Sequence, residues 1–256
     1  MAASLAQTID AIILKKSIFS ESNEIVTMYS RQLGKIRATA RAVKKPESKL
    51  AFGLQELFYS KVEIVSAQKR LTIVGVKPIN TFKNLRENIQ TVRDAMYAVE
   101  LIMKSTADEQ PNEVLFDYFL KFLEHLDSKI AEHSCPNFFA WQVLALTGYK
   151  VQARDCAICG RALQQQTNLF FSNNKSGFIC SDASTNCAKK SADAKLASLE
   201  TYQVLSAAFA SPEGFEAQDH AVDQIQPPQR KELQNLTNSF LEHILERDLK
   251  TARYLV

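Results

Sequence analysis

Four of the five cysteines stand in an arrangement suited to holding a metal ion. In Cys156-Ala-Ile-Cys159-Gly160 two thiols lie two residues apart with a glycine behind the second, so backbone amides can turn toward the sulfurs while both reach one tetrahedral ion. Cys180 and Cys187 follow, separated by a wider gap than the second pair of a zinc knuckle normally has. Four thiolates would close the shell of a single Zn²⁺ and leave no open position for water, which makes the expected site structural. Asp182 is the alternative fourth ligand if the long spacing keeps Cys187 out. Cys135, beside Pro136, reads as a small buried hydrophobe.

A second group of residues could bind a polyanion. Residues 31–49 hold seven basic side chains against Glu47 alone. Alternation along a strand from Lys35 to Val43 sends Ile36, Ala38, Ala40 and Ala42 to one face and Lys35, Arg37, Thr39 and Arg41 to the other, with Lys44, Lys45 and Lys49 following in the next turn. Lys35, Arg37, Arg41, Lys44, Lys45 and Lys49 are therefore the candidate phosphate-binding residues, suited to nucleic acid with little sequence preference. Phe19 and Tyr29 are near enough in sequence to offer rings for base stacking, though packing is the commoner use of each. Against these stand absences. The chain has no Gly-rich phosphate loop followed by Lys and Ser or Thr, and no His-Glu-x-x-His pair, and its histidines at 125, 133, 220 and 243 are scattered, so no enzyme is expected.

The elements that must position these residues divide into three kinds. Short β-branched or alternating runs at Ile9–Leu14, Glu24–Ser30, Lys35–Val43, Leu57–Val65 and Leu71–Lys77 predict five strands, enough for a small barrel of OB or SH3-like type. After Pro78 the apolar spacing lengthens to three or four: Leu85, Ile89, Val92, Met96, Val99 and Met103 predict one helix, and Leu115, Phe119, Phe122, Leu126 and Ile130 a second. A third helix is expected from Pro136 to near Gly148, and two more over Leu196–Ala210 and Arg230–Tyr254. Between them, residues 150–190 show little periodicity. Their few large apolar residues (Leu163, Leu169, Phe170, Phe171, Phe178) cannot offset backbone ordering at about 1 to 2 kcal/mol per residue, whereas a four-thiolate zinc supplies on the order of 10 kcal/mol. The expected class is α+β: an N-terminal five-stranded barrel over 1–80, a helical domain from 81–149 and 191–256, and a zinc-finger-like insert at 150–190.

Charge follows the same division. The net charge of +3 conceals an asymmetry: residues 1–80 carry 13 Lys and Arg against 6 Asp and Glu, and the remainder 18 against 22. A polyanion site in the first 80 residues accounts for this. No apolar run is long enough to span a bilayer and the first ten residues lack a signal peptide's order, so a cytoplasmic protein without membrane attachment is expected. In that reducing compartment paired cysteines favour metal over disulfide.

Taken in order, these segments resemble the RecO family of recombination mediators. Ile13-Leu14-Lys15-Lys16, Ser20-Glu21-Ser22-Asn23-Glu24-Ile25-Val26 and Gly34-Lys35-Ile36-Arg37 are similar to its first hairpin and the strand that follows. The run from Ala40 through Lys44-Lys45-Pro46 to Leu50 resembles its basic stretch. Tyr97-Ala-Val-Glu100-Leu101 resembles its first bridging helix, and Gly148-Tyr149, the Cys156 pair, Phe171-Ser172 and Gly177 before Cys180 resemble its zinc module. Ala42 stands where glycine is usual, Glu56 where proline is common, and the gap before Cys187 is longer. The resemblance implies an OB-fold in a bacterial, nucleoid-associated protein that binds single- and double-stranded DNA and anneals strands. It further implies that the protein loads RecA with RecR on DNA coated by single-stranded-DNA-binding protein (SSB), contacting that protein's C-terminal tail. The tail is acidic with an aromatic end, so it needs an apolar slot flanked by Lys or Arg, a condition that several positions around Arg86 to Lys104 meet equally. An OB-fold RNA-binding or translation factor is the competing reading.

Overall fold

The computed structural model describes residues 6–45, 47–67, 70–128, 136–149, 151–164, 168–182, 184–210 and 226–254. The N-terminal strands form a closed barrel. β1 (Ala6–Ile18) serves two neighbours: its first part pairs with β4 (Tyr59–Ala67), Ala6 opposite Val65, and its last part with β2 (Glu24–Ser30), Ile18 opposite Glu24. A bulge between Ile13 and Lys15 bends it on the way. β3 (Gly34–Ala40) runs antiparallel to β2 and parallel to β5 (Arg70–Asn80), which returns antiparallel to β4. The order β1-β2-β3-β5-β4, closed through that parallel seam, is the OB-fold order, which decides between the two barrel types that the hydropathy pattern allows.

Alternation explains the barrel's interior. Ile9, Ile13, Val26, Met28, Ile36, Ala38, Val62, Ile64 and Ile73 are all buried in one cluster, which Val43, Leu54 and Phe58 from the β3–β4 link join. The expected third strand is shorter than its sequence pattern. It ends at Ala40, because Ala42 adopts a left-handed φ of 53° and the chain turns there. Gly34, just ahead of it, has a φ of +69°, and a Cβ would lie 2.1 Å from the Gln110 carbonyl oxygen, so no other residue fits.

The helices among the described residues are α1 (Lys83–Glu87), α2 (Ile89–Ser105), α3 (Glu113–Asp127), α4 (Pro136–Leu146), α5 (Leu199–Ala210) and α6 (Pro227–Leu245). Asn88 separates α1 from α2 and caps the second, accepting from the Gln90 amide at 2.8 Å; Asn112 caps α3 through the Leu115 amide at 3.0 Å. Leu115, Phe119, Phe122 and Leu126 are buried as the stripe requires, while Ile130 and Cys135 lie outside the described residues. Three expectations are corrected. Ile89 opens α2 on the outside, 67% exposed. Leu196 belongs not to a helix but to β8 (Lys195–Ala197), α5 starting at Leu199. The last described helix spans Pro227–Leu245, stopping at a left-handed Glu246, and a 3₁₀ turn at Thr251–Tyr254 follows.

Two compact units result, 1–95 with 102–131 and 96–101 with 132–256, so the division runs through α2. In the second unit β6 (Leu169–Ser172) lies between β7 (Gly177–Cys180) and β8 in an antiparallel sheet. The sequence reading contains no such sheet, because strands of three and four residues are too short to show alternation, and all four residues of β7 are buried. Trp141 of α4 stacks on Phe240 at 5.0 Å between centroids, donates its indole N–H to Thr237 at 2.9 Å, and meets Phe171 of the sheet edge-on. Glu100 of α2 accepts from the Lys250 and Thr251 amides at 3.0 and 2.8 Å, fixing the last turn. No described helix is long and apolar enough to cross a membrane.

Candidate metal centre and nucleic-acid interface

The sulfurs of Cys156, Cys159, Cys180 and Cys187 all lie within 4.8 Å of one another. Local backbone geometry brings the first two together. Gly160 takes a φ of +73° and donates to the Cys156 carbonyl at 2.9 Å, while Cys156 N–H reaches Arg161 O at 2.7 Å. The turn docks on β7 through Ala157 N–H to Phe178 O, 2.9 Å, and the Cys180 amide donates to the Cys156 sulfur at 3.4 Å. The wide gap before Cys187 is taken up by a turn in which the Asp182 carbonyl accepts from Thr185 and Asn186, at 3.2 and 3.1 Å, and Asn186 is left-handed at 49°. Asp182 is not a member of the cluster. Its carboxylate pairs with Arg161 and accepts from the Ser184 amide at 2.7 Å, so the fourth side chain of the cluster is that of Cys187.

The protonation pattern of these thiols fits a cation. Burial pushes the Cys156 thiol up, but amides of Cys159, Cys180 and Ile158 more than offset this and hold it down at about 7. Burial, with the neighbouring cysteines, pushes Cys187 up to about 12 and raises Cys180 as well. The Cys156 thiolate forms readily, while those of Cys180 and Cys187 are opposed by desolvation and by sulfur neighbours, the condition that a divalent cation reverses. Four soft donors around one point suit a thiophilic ion, Zn²⁺ foremost.

On the barrel, the structure separates the six basic candidates. Arg37, Arg41, Lys44, Lys45 and Lys49 are exposed; Lys35 is not. Only 8% accessible, Lys35 turns its Nζ to the carbonyls of Met103 (2.7 Å) and Thr106 at the end of α2, with Asp108 Oδ1 at 3.2 Å. Arg37 projects outward, 68% exposed at its side chain, and its guanidinium is 3.8 Å from the other Asp108 oxygen. Lys15 joins this face unforeseen: it is exposed and pairs with Thr27, which pairs with Arg37, so the three share one row. The bulge after Ile13 sets that register, and nothing in the alternation of β1 announces it.

The ring candidates also part. Tyr29 is fully buried, stacks on Phe116 at 6.2 Å, and burial pushes its hydroxyl up to about 12. It is core. Phe19 is 62% exposed. Two of the departures from the resemblance have local consequences on the barrel: Ala42 takes its positive φ without being glycine, and Glu56 uses its carboxylate to accept from the Lys16 amide at 2.9 Å.

Comparison with known proteins separates the barrel from the segment that follows it. Residues 4–82 match the family model described as Recombination protein O N terminal, and residues 86–253 match Recombination protein O C terminal. Relatives named DNA repair protein RecO include one from Roseiflexus, 30% identical over 247 residues, or 96% of this chain and 83% of the relative. One from Dehalococcoides mccartyi is 33% identical over 172 residues (67% and 68%), and one from Bacillus cereus is 31% identical over 176 residues (68% and 69%). With both family models matched in the order of barrel then helices that the structure displays, the chain belongs to the RecO family.

Proposed function

We propose that the chain acts in bacterial DNA repair as a recombination mediator and not as an enzyme, binding single- and double-stranded DNA on its 1–80 barrel and annealing strands. The observation that carries this reading is the exposure of Arg37 on β3 and of Arg41, Lys44, Lys45 and Lys49 in the segment that follows it on an OB-fold, where cations release counterions from phosphates without reading sequence. Family membership supports the further steps: partnership with RecR, action on SSB-coated DNA and loading of RecA. In this reading the helical segments 81–149 and 191–256 serve partners, and the 150–190 insert is held by one structural Zn²⁺ on Cys156, Cys159, Cys180 and Cys187. A slot of about 370 Å³ that could take an acidic tail with an aromatic end lies between Phe171, Leu196, Pro228 and Leu236, with two cations, Lys195 and Lys231, against one carboxylate, Glu232, at its lining.

Competition between single-stranded DNA and RNA of equal length, combined with an annealing assay on complementary oligonucleotides, tests the proposal. Accelerated annealing and DNA held at least as tightly as RNA are expected. A preference for RNA without annealing would return the chain to the RNA-binding reading.

A further inference from the structure

At the rim of the barrel two apolar side chains have no cover: Ile18 is 75% and Phe19 62% exposed where β1 ends. The loop carrying them is fastened at both levels of structure. Phe19 and Ser20 N–H donate to Asn23 O at 3.1 and 3.2 Å, closing the tip on itself. Asn23 Oδ1 then accepts from the Ala42 amide at 2.9 Å, and Ser22 O accepts from the Lys44 amide at 3.3 Å. The tip is thus hydrogen-bonded to the turn that presents Arg41, Lys44 and Lys45, all exposed. An aromatic ring held in water beside a cluster of cations has the composition of a single-strand platform: charges for the phosphates and an apolar face for a base.

We infer that Phe19, with Ile18 beside it, is the base-contacting element of this face, and that its occupant is the unpaired bases of a single DNA strand. The inference rests on the barrel-face reading above and adds a discrimination to it. Cations attract single strands and duplex alike, but in a duplex both faces of each base are stacked on neighbours, so the ring finds a partner only on a single strand. Phe19 therefore separates the two substrates where the charges cannot. Tyr29 cannot share the task, being fully buried.

The test uses the full chain with F19A, F19L and F19W, an oligo-dT, and a duplex of the same length across a salt series. F19A and F19L should each weaken oligo-dT binding about fivefold or more, the lower end of what base–aromatic stacking supplies, and change duplex binding less than about twofold. The salt slope should not move, since no cation is removed. F19W adds a reporter to a chain whose single tryptophan, Trp141, is 1% exposed, so oligo-dT should quench the new emission and duplex should not. Unchanged oligo-dT affinity in folded F19A, equal loss on both substrates, F19L behaving as wild type, or unquenched F19W at saturation would each overturn the inference. A parallel variant with Arg37→Gln and Arg41→Gln separates the two levels. Full affinity there removes the barrel-face reading itself, whereas lost affinity there with intact F19A binding removes only the role of Phe19.

Discussion

Changing Lys35 to methionine removes an ammonium that the structure surrounds with acceptors. Its Nζ donates to Met103 O at 2.7 Å and to Thr106 O, at the last turn of α2, with Asp108 Oδ1 at 3.2 Å. Hydrogen bonds to a charged group contribute about 1.5 to 3 kcal/mol each, and a cation at a helix C-terminus adds about 0.3 to 1 kcal/mol. Asp108, with 54% of its side chain exposed, can return to water, and methionine keeps most of the stem packing; both reduce the loss. K35M should therefore destabilise the first unit by about 3 to 5 kcal/mol. Urea unfolding measures this, alongside oligo-dT anisotropy at a temperature where the variant is folded. Affinity should fall no more than about threefold, the effect of leaving Asp108 with one cation fewer beside it. Unchanged stability with a loss of DNA binding as large as that of the Arg37/Arg41 variant would refute the reasoning, because Lys35 would then be reaching phosphate.

The Asp108 carboxylate also faces Arg37 at 3.8 Å, so Asp108→Asn should tighten oligo-dT binding by about two- to fivefold at low salt, and less at high salt; unchanged or weaker binding in a folded variant would contradict this. Protein purified without chelator should contain one zinc per chain by elemental analysis, lost together with amide-exchange protection of the 151–197 region when Cys156 and Cys159 become serine; a metal-free, fully protected wild type would leave packing alone to hold the insert. Asp193 opposes its burial with bonds from the Asn174 amide and the Ser191 and Ser172 hydroxyls, which hold its carboxyl down at about 2. A depressed carboxyl stabilises the fold above its unfolded value near 4 and ceases to do so as pH falls toward 2, so wild type should lose about 1 to 2 kcal/mol over that window and Asp193→Asn should not.

The barrel was the most legible part of the chain, because period-two alternation in Ile36, Ala38 and Ala40 maps directly onto an interior. What alternation could not convey was the order of the strands, which depends on long-range pairing such as Ala38 with Leu71. It also assigned Lys35 to the solvent face by parity. The α2–α3 link covers that position, its Glu109 amide donating to Lys35 O at 2.8 Å, and so converts an outward lysine into a buried one. The four cysteines stand out in sequence by type and spacing, yet that Cys187 and not Asp182 completes their cluster depends on the turn at Asn186 and the pairing of Asp182 with Arg161, which spacing does not show. The slot beside Lys195 and Lys231 joins residues of β6, β8 and α6, and no local pattern in sequence brings those together.

The central claim, that exposed cations on the barrel hold DNA by its phosphates, is tested most directly by the salt dependence of oligo-dT binding in wild type and in the double variant Arg37→Gln, Arg41→Gln. With about four to six phosphates neutralised, log affinity against log salt should fall with a slope of about −3 to −4. Removing two cations should make that slope shallower by about 1 to 1.5 and weaken binding about equally across unrelated sequences. A folded double variant with the affinity and slope of wild type would contradict the account and move the DNA site off this face.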